Sequence, residues 1–260
     1  MKTLGAGALT ISAEDMLQAQ QFKVKYLSVS DDVKSTVVKK ASVTFTGRPS
    51  EDFGTQPISF GSDVDRIQTW LAHDDEYLYA AWQVDDKTPW VNGAPGFENL
   101  YGGGDTVDIQ LGTDAGADKK RNEAVKGDLR LSIGQLKGKN TAVLSRKVSD
   151  EKAPMTFYSG TSKGGYTMEF VKKLDSVKLE ARPVGDKAYM VEAAIPLKDL
   201  GVTLKPGLAL RGDVGVTYGD PAGKDTNLRV YWSNKATGIV ADEVEELKMQ
   251  PAMWGQFNLE

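Results

Sequence analysis

Gly104-Asp105-Thr106-Val107-Asp108-Ile109-Gln110-Leu111 is the stretch on which the fold turns. Val107, Ile109 and Leu111 are apolar, and Asp108 and Gln110 between them are polar. A period of two is the signature of an extended strand with one buried and one polar side; a helix would scatter the same residues around its axis. Leu129, Leu131 and Ile133 repeat the pattern with Arg130 and Ser132 facing outward, and Leu78, Ala80, Trp82 and Val84 repeat it again. Further strands are expected over 142–147, 155–158, 166–170, 177–184, 189–195, 213–218, 228–232 and 256–259. The 27 glycines fall between such segments, which is the punctuation of an all-β protein. Helical signals are few and short, over 12–21, 196–200 and 242–249. The sequence therefore predicts an antiparallel, jelly-roll-like β-sandwich over residues 46–260 with a few short helices. Residues 1–45 read as an N-terminal extension packing on it.

Composition narrows the chemistry. The 260 residues include 32 Lys plus Arg against 36 Asp plus Glu, a net charge of −4, which gives no reason to expect a nucleic-acid partner. A chain of this length buries about 70% of the surface its unfolded form exposes, so it needs no disulfide staple. With no Cys, thiol nucleophiles, thiolate zinc and iron–sulfur clusters are excluded. One histidine, His73, excludes two-histidine metal sites within the chain. It reads as a partly exposed turn residue. No apolar run approaches the roughly 20 residues of a membrane-crossing helix. The opening MKTLGAGALTIS is too short and mixed for a secretory apolar region.

The motifs have bland readings beside sharper ones. Tyr101-Gly102-Gly103-Gly104-Asp105 precedes a strand instead of a helix, so it reads as a tight approach and not a phosphate cradle. The segment 219–226 reads as a long hairpin loop. Asp85, Asp86 and Asp220 belong to acidic turns. Such turns are usually solvated, but oxygen-rich loops are also where calcium binds. Paired carboxylates for glycoside hydrolysis are not encoded by spacing, and no nucleophile or metal constellation is visible, so no enzyme is expected. Trp90 sits in a Pro- and Asn-bearing loop, with Phe97 and Tyr101 following. Two readings stand level for these aromatics: a stacking platform for a sugar ring, or packing under a long loop.

Several segments together resemble the family 9 carbohydrate-binding modules and the wider DOMON-like sandwiches. They are 76–79 with 84–86, Gly104 to Ile109, 189–196, 214–220, 231–234, and Pro251-Ala252-Met253-Trp254-Gly255-Gln256-Phe257. In order, they span residues 45–260. The resemblance implies an exported or periplasmic, non-catalytic module that binds an oligo- or polysaccharide, often carries structural calcium, and is often joined to a larger polysaccharide-degrading or cell-surface protein. It assigns Asp108 and Arg130 to the polar floor under the sugar. Its stacking positions fall near Tyr101 or Gly102 and near Lys248, which is not aromatic, so Trp90 or Trp254 would have to compensate. A related branch, similar to the haem-binding subunit of ethylbenzene dehydrogenase, holds haem b with Met and Lys ligands and gives an electron-transfer alternative. A third reading is a structural interaction sandwich in an extracellular assembly.

Overall fold

The computed structural model describes residues 8–10, 21–23, 33–159, 164–240 and 242–260. The chain divides into two units, Met1–Val33 and Lys34–Glu260. In the first, Ala8–Thr10 (β1) pairs antiparallel with Gln21–Lys23 (β2). Apart from Gln21, the helix expected over 12–21 lies outside the described residues. The second unit starts ahead of the boundary expected at residue 46, because Ser35–Lys40 (β3) is itself a strand of the sandwich.

After β3 the chain runs through a one-turn helix at Pro49–Asp52 (α1), then Ile58–Gly61 (β4), Arg66–His73 (β5) and Tyr77–Asp85 (β6). Next come Thr106–Gly112 (β7), Asp128–Leu136 (β8), Lys139–Arg146 (β9), Met155–Phe157 (β10), Tyr166–Met168 (β11) and Phe170–Lys173 (β12). Lys178–Pro183 (β13), Ala188–Pro196 (β14), Leu197–Leu200 (α2), Ala209–Gly219 (β15), Thr226–Tyr231 (β16), Glu243–Leu247 (α3) and Gly255–Leu259 (β17) complete it. One layer is ordered β4-β5-β6-β14-β13. The other is β12-β9-β8-β7-β15, with β16 and β17 both paired to β15.

The sheet is mixed where pure antiparallel pairing was expected. β3 runs parallel to both its partners: Ser35 to Val38 lie along β17, and Lys39 and Lys40 then pass to Ala72 and His73 of β5. A strand that changes sheets in mid-course makes the corner that joins two packed layers. Neither partner of β3 is its hairpin neighbour in sequence, so no tight turn forces an antiparallel approach.

The alternation seen in the sequence points where it should. Ala80, Trp82 and Val84 from one layer meet Val107, Ile109, Leu129, Leu131 and Ile133 from the other in one continuous core. His73 corrects its sequence reading, since it closes β5 fully buried instead of lying in a turn. The glycine at 104 has a physical reason. Its φ is +127°, and a Cβ on Gly219 would come within 2.7 Å of its Cα, so the start of β7 and the end of β15 touch backbone to backbone.

Trp82 is completely buried at the centre of this core. Trp82→Ala should lower the unfolding free energy by about 3–5 kcal/mol, read from urea denaturation. A loss under about 1 kcal/mol would contradict the packing described.

Candidate functional site

β7 and β8 pair so that Gln110 faces Arg130 and Asp108 faces Ser132, which makes Asp108 and Arg130 diagonal neighbours on the outer flank of their layer. Arg130 donates to Asp108 Oδ2 from Nε at 3.1 Å and from Nη2 at 2.6 Å, and Nη2 also reaches the Tyr231 hydroxyl at 3.0 Å. The Tyr231 hydroxyl donates in turn to Asp108 Oδ2, and Nη1 donates to the Glu246 carbonyl. Burial alone would pull the guanidinium pKa down, but Asp108 and Tyr231 outweigh it and hold it above the ordinary arginine range.

This pair is where the sequence placed it, yet the flank is not open. The 3-10 turn Phe97–Gly102 brings Leu100 and Tyr101 over it, α3 brings Val244 and Leu247, and Phe157, Met168, Met249 and Trp254 complete a second core. Exposure is 0% for Asp108, 1% for Arg130, 3% for Tyr101 and 1% for Trp254. Trp254 donates its Nε1–H to Gln110 Oε1 at 2.9 Å, and the Tyr101 hydroxyl donates to the Glu243 carbonyl at 3.0 Å. Four of the five residues expected to hold a sugar are thus interior. Arg130's charge is satisfied by Asp108 and by the main chain of α3, groups that stand where a ligand would have to.

Trp90 lies apart. Its ring sits 4.6 Å from the buried Tyr189 ring, tilted by 43°. It is half-buried and lines a groove of about 380 Å³ with Asp86, Lys87, Pro89, Gln135, Arg182 and Asp186. Tyr101 does not line this groove, and Phe97 packs against the second core. The loop that carries Trp90 is pinned by Asp105. The Asp105 carboxylate accepts from Val91 N at 3.1 Å and from Gly219 N at 2.7 Å, and its own N–H donates to the Val91 carbonyl at 2.9 Å. Asn92 Nδ2 ties the same loop to the Leu100 carbonyl at 2.8 Å.

The aspartates expected to bind calcium each have protein partners. Asp85 closes β6 and Asp86 follows it, each held by its own partners. Asp85 pairs with Arg66 at 3.2 Å, and Asp86 Oδ1 accepts from Thr88 N and Oγ1, each at 2.7 Å. Asp220 Oδ1 takes the N–H groups of Lys224 and Asp225 in its own turn. Among the described residues, no three acidic or histidine side chains are grouped as a metal site. Of the methionines, Met168 and Met249 fill the second core and Met190 accepts from Arg182 Nη2 at 3.0 Å. None lines the Trp90 groove.

Two buried aspartates carry a pH signature. Burial raises Asp105 from 3.8 to about 7 against its two N–H donors, with Asp86 and Asp220 adding to the rise. Burial likewise raises Asp213 to about 7, although Val214, Ser233 and Asn234 N–H groups donate to it. Between 3.8 and about 7 the folded chain keeps protons that the unfolded chain has released. Stability should therefore fall as pH climbs through that window. Carboxyl carbon-13 NMR should find two aspartates titrating near the upper limit; ordinary titration of both would refute the assignment. Arg130→Met leaves Asp108 as an unpaired buried charge and should cost about 3–5 kcal/mol in denaturant unfolding. Adding Asp108→Asn should recover part of that loss.

No protein-family model matches the chain, and no curated protein matches it. Among solved structures it is similar to a family 9 carbohydrate-binding module from Caldicellulosiruptor kristjanssonii in complex with cellotriose. The TM-score is 0.53 at 15% identity, over 87% of this chain and 94% of that one. It is also similar to a protein from Bacteroides uniformis whose carbohydrate binding is a provisional assignment. There the TM-score is 0.51 at 13% identity, over 88% of this chain and all of that one. The chain has the β-sandwich fold of the family 9 carbohydrate-binding modules.

Proposed function

We propose that the protein is a non-catalytic carbohydrate-binding domain whose ligand lies in the Trp90 groove. The observation that carries this reading is a half-buried indole backed by Tyr189 on a rigidly pinned loop, in a groove rimmed by side chains of both charge signs. A sugar ring offers an apolar C–H face to an aromatic ring and hydroxyls around its edge. Lys87 and Arg182 supply donors to those hydroxyls, Asp86 and Asp186 supply acceptors, and Gln135 supplies both. A solved structure of the same fold holds cellotriose, which supports the class of ligand. The roofed flank takes no part, because Asp108 and Arg130 are buried beneath it and paired with each other.

Isothermal titration with cellotriose and glucose, together with retention on a panel of polysaccharides, tests the reading. Trp90→Ala should weaken binding about tenfold, equivalent to ~1.4 kcal/mol, with the fold intact by circular dichroism. No retention on any glycan, or full affinity in the variant, would overturn it.

A further inference from the structure

A second groove adjoins the one that holds Trp90. Its cavity, of about 580 Å³, is lined in part by Asp63, Val64, Gln83 and Lys187. Asp86, Lys87, Asp186 and Ala188 line both this cavity and the Trp90 groove. The shared rim is built from the end of β6 and the start of β14, where Asp85 lies opposite Ala188 in the ladder. The Asp86 N–H donates to the Lys187 carbonyl at 2.8 Å, and the Val184 N–H closes the turn between β13 and β14 on the Ala188 carbonyl, also at 2.8 Å. The rim is therefore an extension of the sheet, fixed by main-chain bonds, and it belongs to both cavities.

The far cavity has an apolar surface of its own, since Val64 is 66% exposed there. A lone exposed valine needs no explanation, but this one is held in the cavity wall. Ser62 Oγ accepts the N–H groups of Val64 at 3.3 Å and Asp65 at 3.2 Å, which fixes the turn that carries it. Gln83 stands on β6 between Trp82 and Val84, both core residues, so alternation turns its amide outward. The two grooves thus repeat one chemistry. Trp90 has Gln135 in the same lining, and Val64 has Gln83, with a rim of both charge signs between them. A ligand that matches both is itself a repeat of apolar faces edged by hydroxyls.

Charge separates neutral repeats from acidic ones. Asp63, Asp85, Asp86 and Asp186 line the far cavity against Lys87 and Lys187, and Asp85 is paired with Arg66. Hydroxyls can donate to the carboxylates and accept from the ammonium groups, whereas a chain of carboxylates would meet an excess of its own sign. We propose that the ligand of the Trp90 groove is a neutral oligosaccharide that continues across the Asp86, Lys87 and Asp186 rim onto Val64 and Gln83, so that the far groove is a second sugar subsite. The proposal rests on the Trp90 reading and adds to it a requirement for chain length.

The probes are glucose, cellotriose and cellohexaose, with hexagalacturonate as an acidic chain of equal length, titrated into the full chain by calorimetry and NMR. Cellohexaose should bind about tenfold tighter than glucose and shift the amides of Val64, Gln83 and Lys187 together with that of Trp90. Glucose should shift the Trp90 loop alone, and hexagalacturonate should bind more weakly than cellohexaose. Val64→Ser combined with Gln83→Ala should remove most of the gain with chain length and leave glucose binding unchanged; Val64→Ser alone decides the matter if the double variant does not fold. Trp90→Ala should weaken the binding of every length. Equal affinity for glucose and cellohexaose, cellohexaose shifts confined to the Trp90 loop, a full chain-length gain in the variants, or hexagalacturonate binding as tightly as cellohexaose would overturn this proposal and leave the Trp90 reading standing. Failure of every neutral probe to bind would overturn both.

Discussion

The Asp108–Arg130 pair has to be satisfied without water, and the way it is satisfied decides which surfaces of the sandwich are open. Removing a carboxylate or guanidinium from water costs several kcal/mol per ion, recovered only when geometry and hydrogen bonding are nearly complete. Here Asp108 Oδ2 receives Arg130 twice and Tyr231 once, and Arg130 Nη1 is completed by the Glu246 carbonyl, while Asp108 Oδ1 is buried without a protein partner. That last bond ties α3 to the sheet. The charge pair and the apolar roof of Val244, Leu247, Met249 and Trp254 therefore depend on each other: the roof excludes water from the pair, and the pair fixes the roof's position.

The consequence is a three-layer section through the middle of the molecule. β7, β8 and β15 are buried on both faces, against the other sheet on one side and the roof on the other. The open surface is left to the margins, where loops leave the layers, and the Trp90 groove lies there. This is the usual division between a packed scaffold and the loops it positions.

For most strands, existence and which side chains share a face were legible because the period of two is local, though β4 and β5 were not among those expected. Val107, Ile109 and Leu111 point into the core whatever lies beyond Asp108. Whether Asp108 and Arg130 face water or a roof was not legible, because alternation looks the same in both cases. The available signal was elsewhere: Leu100, Val244, Leu247, Met249 and Trp254 are apolar residues outside the regular strands, and they needed a surface to cover. β3 was missed because its flanking lysines obscure Val37 and Val38 and its parallel partners are remote in sequence.

Asp105 connects these levels. It closes the loop between β6 and β7, whose one regular piece is the 3-10 turn Phe97–Gly102, by accepting from Val91 and Gly219, elements more than a hundred residues apart in the chain. A loop held only by its own turn would sample many orderings, and a ligand would have to offset that entropy on binding. Held by a buried carboxylate at the meeting of β7 and β15, the Trp90 loop presents its indole in one orientation before any ligand arrives. Gly104 and Gly219 make that meeting possible, since side chains at either position would push the two strand ends apart. The glycine-rich stretch that resembles a phosphate loop in sequence is thus a joint between backbones, and it anchors the loop that carries Trp90.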